Sequence, residues 1–277
     1  MNSKWRKNPA TIPIVIFMIL LALVFIYPLF FTFMNAISTE AQYYTDPTAF
    51  PKEIQWNNFV KLIRDFGLLK YFGNTMIVVV FSIALNMLVS VPAAYAFAKF
   101  SFRGKNVVYF GIIFAMFFPA TVTLIPLYVL FAKLGLLNTF PGLILVTGTG
   151  LVPSTMMLLR SYFSGLNNSL FEAAEIDGAG FIRVVWSILM PLAKPILAIS
   201  AVFNFLVVFN DLLRPMILMQ GQDNRTLAVA LASMMAIKDK DPTYNMSAMF
   251  IASVIPLIVY LIFSKHIVKG VAVGSVK

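Results

Sequence analysis

Residues 169–195 read Ser169-Leu-Phe-Glu172-Ala-Ala-Glu175-Ile-Asp177-Gly178-Ala-Gly180-Phe-Ile-Arg183-Val-Val-Trp-Ser-Ile-Leu-Met190-Pro191-Leu-Ala-Lys194-Pro195. Long apolar runs lie on both sides, so Glu172, Glu175, Asp177 and Arg183 form a charged island in an otherwise greasy chain. Ser169 followed by Glu172 has the spacing of a capping box, which predicts a short helix starting there. Gly178 and Gly180 interrupt it, as a C-cap or a sharp turn. A second short helix over residues 181–189 is expected to end before Pro191, because the residue ahead of a proline is driven away from helical geometry. Helix, glycine elbow, helix and proline together make a stiff protrusion.

The rest of the chain is consistent with a protrusion from a membrane. Of the 277 residues, 60% are hydrophobic and only 12% charged, which places the chain among integral membrane proteins. There is no cysteine, hence no disulfide, thiolate or cysteine-zinc chemistry. The net charge of +10 raises the question of nucleic acid, and the placement of the charges answers it.

Six apolar spans are expected, over residues 12–34, 71–97, 107–131, 141–159, 196–219 and 246–263. The first follows a short basic start with Lys4, Arg6 and Lys7. At about 23 residues it exceeds the 7–15 of a signal-peptide core and lacks a clear cleavage site, so it reads as a retained span. Residues 35–70 are polar and broken by Pro47 and Pro51. A tight basic turn, residues 99–105, joins the second and third spans. Gly148, Gly150 and Pro153 loosen the fourth. The expected organisation is therefore 1–70 (N-terminus, first span and outer loop), 71–263 (core, with the charged loop at 160–194) and 264–277 (tail).

With the N-terminus inside, the inner segments carry twelve Lys/Arg, the outer connections eight, and Arg214 falls within a span, which accounts for all 21. The short outer connection 132–140 has only Lys133. The positive-inside rule then puts both termini and the Glu172 loop in the cytoplasm. The basic charge is accounted for by topology, and nucleic acid is not expected as a partner.

Glu172-Ala173-Ala174, three residues, Gly178, nine residues, Ile188, one residue and Met190-Pro191 resemble the EAA loop of ABC-importer permeases, with Met190 where that pattern has leucine. Residues 92–100, Ile125-Pro126-Leu127-Tyr128, residues 133–139 and Asn210-Asp211 are similar to the carbohydrate branch, in particular to the second permease of the maltose-type pair. The resemblance implies an all-α integral membrane protein with six transmembrane helices, the type I ABC importer permease fold. It implies import of a sugar or oligosaccharide by alternating access, in a bacterial or archaeal plasma (inner) membrane. It further implies a homologous permease, two ATP-binding subunits that hold ATP and Mg, and an extracytoplasmic solute-binding protein. In that family the loop couples to the ATPase, which assigns coupling to Glu172, Ala173, Ala174, Asp177, Gly178, Ile188 and Pro191. No cofactor is expected in this chain itself.

A transport path needs polar groups at membrane depth, where they are costly and face protein or water. Asn86, Tyr128, Asn204, Asn210 and Asp211 are the candidates; the alternative role for each is hydrogen bonding between helices. Asp211 and Arg214, three apart, read either as a structural ion pair or as part of an outer gate. His266, the sole histidine, has no companion ligands for a metal and no carboxylate near it in sequence for a hydrolytic triad. Gly104-Lys105 lacks the remainder of a phosphate-binding loop, so ATP hydrolysis is expected in a separate subunit. Rival readings are a permease for a non-sugar solute, an intramembrane enzyme or a passive channel. The last leaves the Glu172 loop unexplained.

Overall fold

Prolines decide how the apolar stretches are wound. The structure, a computed structural model, describes the backbone of residues 11–237 and 241–274, and side chains as far as Ser264. Lys4, Arg6, Lys7, Lys238, Lys240 and the side chains of Lys265, His266, Lys269 and Lys277 lie outside the described residues, so the readings placed on them do too. In chain order the helices are α1 (Thr11–Ala36), α2 (Glu40–Thr45), α3 (Asn57–Arg64), α4 (Leu68–Lys99), α5 (Lys105–Phe114), α6 (Ala120–Lys133), α7 (Phe140–Gly150) and α8 (Val152–Ser164). They continue as α9 (Ser169–Ile176), α10 (Phe181–Arg183), a wide π-wound segment (Val184–Leu189), α11 (Met190–Leu192), α12 (Lys194–Phe209), α13 (Leu213–Leu218), α14 (Leu227–Met235) and α15 (Pro242–Gly274). Among the described residues there is no strand.

Three stretches, Thr11–Ala36, Leu68–Lys99 and Pro242–Ser264, are single helices long and apolar enough to cross a bilayer. The other three expected spans are bent pairs. Residues 107–131 were expected as one helix but divide into Lys105–Phe117 and Ala120–Lys133, at 99°. Pro119 cannot donate a backbone bond and forces Phe118 out of the helix, to φ −79° and ψ 117°. The fourth bends by 43° between Gly150 and Val152.

The fifth departs furthest from expectation. The helix expected to stop before Pro191 continues through it to Leu192, because the backbone widens first. The Met190 N–H donates to the Val185 carbonyl, five residues back. The chain then turns by 83° into Lys194–Phe209. That helix stops at Asn210 rather than reaching residue 219, and α13 starts anew. Pro215 has no N–H for the Asp211 carbonyl and its ring crowds it, which disfavours continuing the helix through this point.

The described residues fall into two units, Met1–Leu68 with Leu231–Ile255, and Leu69–Ala230 with Pro256–Lys277. In the first, the end of α1 is pinned by buried amides and hydroxyls. Asn58 Nδ2 donates to the Ala36 carbonyl at 3.1 Å and to Thr243 Oγ1 at 3.0 Å, and Ser247 Oγ donates to the same carbonyl at 3.0 Å. Phe33 and Phe250 pack with ring centroids 4.9 Å apart.

In the second unit, α4, α8, the π-wound segment and α12 share a core built on Val91, Met156, Leu159, Phe163, Leu189 and Ile196. Close approach is built in at Gly148, where an added Cβ would stand 2.9 Å from the Ser82 carbonyl. At the far end of the unit a clasp explains residues 133–139. Asn138 sits at φ 56°, donates its N–H to the Leu218 carbonyl at 2.7 Å and accepts the Gly221 N–H on Oδ1 at 3.0 Å. Thr139 Oγ1 caps α7 by accepting from the Gly142 N–H. The neighbouring loop is held by Asn74 Nδ2, donating to the Asp223 and Arg225 carbonyls, and by an ion pair between Lys70 and Asp223. The Lys70 ammonium, by its hydrogen bond and then its charge, holds Asp223 below the ordinary carboxylate range.

Candidate functional site

The residues 169–195 fold as a knuckle. Helix α9 does begin at Ser169, but the capping box does not form. Asn168 precedes it with helical dihedrals and no side-chain cap, while the Ser169 N–H donates to Asn167 Oδ1 at 3.1 Å. Asn168 is otherwise engaged, its Oδ1 accepting from Lys99 Nζ at 2.7 Å. The helix ends in a complete Schellman motif. The Ala179 N–H reaches back to the Ala174 carbonyl at 2.9 Å and the Gly178 N–H to the Glu175 carbonyl at 3.0 Å, with Gly178 at φ 74°. Gly178 is the elbow the sequence called for. Gly180, by contrast, is extended and simply leads into α10.

Two faces follow from this geometry. Phe171 and Ala174, three apart, are buried against the body. Glu172, Ala173, Glu175, Asp177 and Gly178 are exposed, and none of the three acids makes an ion pair among the described residues. Ile176 stands 87% exposed at the tip and Ile182 73% exposed just past the elbow. An apolar tip ringed by carboxylates is a surface that gains by being covered. Ala174 faces inward, away from that surface, as packing for the knuckle. Ile188 is half-buried and Pro191 exposed, both on the far arm. Sequence reading missed Ile176 and Ile182, since an isoleucine in an amphipathic helix is read as core by default.

The knuckle is bolted to α4 and α8. Lys99 Nζ donates to the Leu166 carbonyl at 2.6 Å as well as to Asn168, and lies 5.2 Å from the centre of the Phe171 ring. Tyr95, one turn earlier, has Phe171 at 5.4 Å and Phe181 at 5.7 Å. Arg160 Nε donates to the Phe97 carbonyl at 3.2 Å with its guanidinium 4.0 Å from the Tyr109 ring centre, and Tyr162 OH donates to the Leu192 carbonyl at 3.1 Å. Charge counting had treated Lys99 and Arg160 only as topology markers.

Of the path candidates, the structure brings Asn86 and Asn204 together. Both are buried. Asn204 Nδ2 donates to Asn86 Oδ1 at 3.0 Å and to Thr155 Oγ1 at 3.2 Å, and Asn86 Nδ2 donates to the Gly148 carbonyl at 3.2 Å. Four helices, α4, α7, α8 and α12, are thereby knotted at one polar point. Asn210 is exposed, with its amide donating to the Leu206 carbonyl on its own helix at 2.8 Å. Tyr128 is half-buried in α6. Asp211 does pair with Arg214, at 3.2 Å, but from the turn before α13 rather than from one continuous helix, and its Oδ1 also accepts the Arg214 N–H. Their side chains are 12% and 23% exposed respectively. A groove of about 860 Å³ lined by Ile77, Phe81, Leu85, Phe140, Leu145 and Trp186 is apolar, without the donors and acceptors that would order a polyol. Among the described residues, no group of three His, Cys, Asp or Glu could hold a metal.

The profile of a family described as "Binding-protein-dependent transport system inner membrane component" matches residues 86–272. The chain is 33% identical over 260 residues to the diacetylchitobiose uptake system permease protein NgcG of Streptomyces coelicolor, covering 93% of this chain and 86% of that one. It is 35% identical over 237 residues to the multiple sugar-binding transport system permease protein MsmG of Streptococcus mutans, covering 83% of each. Among solved structures, a chain of a bacterial ABC transporter involved in import of the acidic polysaccharide alginate aligns with a TM-score of 0.82 at 25% identity. That alignment covers 96% of this chain and 98% of the other.

Proposed function

The chain belongs to the binding-protein-dependent transport system inner membrane components, and from that membership we propose how it works and what it carries. As a multi-pass inner-membrane permease of an ABC importer it is a transport component and not an enzyme. Its cargo is a sugar or oligosaccharide, and it moves this inward by alternating access. The relatives whose names specify saccharides support that choice of cargo. Both termini and the α9 knuckle face the cytoplasm. A homologous permease completes the membrane channel, two ATP-binding subunits carry ATP and Mg, and an extracytoplasmic solute-binding protein delivers the solute.

The observation that carries this reading is the knuckle with its exposed Ile176, Ile182 and acidic ring. Glu172 and its neighbours pair with basic groups of an ATP-binding subunit while the isoleucines fill an apolar groove on it. Closure of the ATP-bound dimer then drags α9, and the attached spans turn a cavity from one side of the membrane to the other. The polar point at Asn86, Thr155 and Asn204 holds the helices together as they turn. Tyr128, Asn210 and Asp211 remain for the solute path or its outer rim.

The test is co-purification from native membranes, followed by reconstitution with the co-purified binding protein and a panel of saccharides. ATP hydrolysis stimulated by one class of saccharide is the expected result. Stimulation by an amino acid, phosphate or peptide but by no saccharide would reject the cargo, and purification without any ATP-binding subunit would reject the mechanism.

A further inference from the structure

We propose that the Tyr95–Lys99 turn of α4 is where movement of the knuckle enters the membrane-spanning helices, with Lys99 as the positioning residue that transmits it. This rests on the reading of α9 as the element that docks the ATP-binding subunit.

One ammonium makes three attachments. Lys99 Nζ donates to the Leu166 carbonyl, just past the end of α8, and to Asn168 Oδ1, at the start of α9, and it lies over the Phe171 ring. Charged hydrogen bonds of this kind are directional and stronger than neutral ones, so they fix register where apolar packing alone lets helices slide. Tyr95 lies four residues earlier, on the same face of α4. Its ring touches Phe171 from α9 and Phe181 from α10. Both arms of the elbow therefore rest on a single turn of α4, and a displacement of either presses on it.

The same helix leads to the polar junction. Asn86 lies about 20 Å further along α4, at roughly 1.5 Å per residue, where it holds the Gly148 carbonyl of α7 and receives Asn204 of α12. Between the two points sits Pro92, inside the helix, where no N–H is available for the Leu88 carbonyl. Helices bend at such places. Strut, bending point and junction thus lie in order along one rod. The residues 92–100 that stood out in the sequence acquire a role from this: Tyr95, Lys99 and Phe100 are the socket of the knuckle.

The experiment uses the assembled transporter in proteoliposomes and reads two quantities, ATP hydrolysed and solute imported. Lys99→Met keeps the length and the contact with Phe171 but removes the donors. It is expected to retain the ATP-binding subunits at wild-type stoichiometry while raising ATP hydrolysed per solute imported by about tenfold or more, the scale of a lost charged hydrogen bond. Lys99→Arg, which still donates, is expected to move the ratio back toward wild type. An unchanged ratio in Lys99→Met with normal wild-type coupling would overturn this assignment alone. So would a parallel fall of hydrolysis and uptake with loss of the complex, which marks a merely structural residue. Failure of any ATP-binding subunit to bind the wild-type chain overturns this and the docking reading together.

Discussion

At the scale of single residues, Gly178 carries the most from the least. Its φ of 74° lies in the left-handed region, and an added Cβ would meet nothing within 4 Å. The objection to any other residue is therefore conformational and not steric, about 1–2 kcal/mol for an L-residue there. Gly178→Ala is expected to leave membrane insertion intact, since the site is exposed and remote from the core, and to open the elbow. Retention of the ATP-binding subunit on detergent-solubilised Gly178→Ala should fall several-fold relative to wild type, measured by pull-down. Undiminished retention would mean that the angle between α9 and α10 does not matter for docking. Glu172 illustrates the opposite lesson. Its spacing from Ser169 suggested a reciprocal cap, yet the structure leaves its side chain exposed. Asn167 Oδ1 already accepts the Ser169 N–H, and Asn168 Oδ1 is taken up by Lys99, so the carboxylate is not drawn back to that end of the helix.

At the scale of elements, what was legible in the sequence was apolar length and what was not was the direction of travel. The runs that became α1, α4 and α15 were read as spans and are unbroken helices. The run over 107–131 was equally apolar, but hydropathy is blind to the 99° bend that Phe118 and Pro119 impose. Pro191 misled in the other sense. A proline usually ends a helix, but the π-wound turn before it moves the hydrogen-bonding register and lets the helix pass. The knuckle's elbow was legible because Gly178 has few structural uses. Its fastening was not, because Lys99 and Tyr95 meet Asn168 and Phe171 across some seventy residues of chain. The pair Asp211 and Arg214 was anticipated, though as neighbours on one helix; in fact Asp211 precedes α13 and its Oδ1 accepts the Arg214 N–H in the first turn of that helix. Reversing Asp211 to Arg therefore removes both a charge partner and the acceptor of the Arg214 N–H, and a hydrogen bond to a charged group is worth about 1.5–3 kcal/mol. The single change is expected to depress uptake strongly and the double change Asp211→Arg with Arg214→Asp to restore part of it, measured as transport in whole cells. Equal damage from both would show that the pair does not act as a pair.

At the scale of the whole molecule, the direction in which the knuckle points decides whether it can dock an ATP-binding subunit. The chain contains no cysteine, so Ile176→Cys gives a single reporter at an 87% exposed position. A membrane-impermeant maleimide is expected to leave it unlabelled in intact cells and to label it in inverted vesicles. Labelling there should drop when the ATP-binding subunits are present. Labelling from outside the cell would invert the topology and remove the docking reading with it. The polar point at Asn86, Thr155 and Asn204 makes sense at this scale as well. Interhelical hydrogen bonds in membranes are worth only about 0.6–2 kcal/mol each, which is enough to tie four helices and too little to prevent them from shifting.

Helix α1 presents Ile12, Ile14, Val15, Phe17 and Leu20 outward, residues that between them circle the helix, and only Asn35 and Ala36 at its last turn are buried. The pinned foot sets the rotation of the rod, but along residues 12–28 no side is preferred within this chain. Its aliphatic residues should therefore be interchangeable in a way that those under Phe163 or Leu189 are not. What the segment supplies is oiliness and length, and what it cannot change without cost is the foot at Asn35 and Ala36.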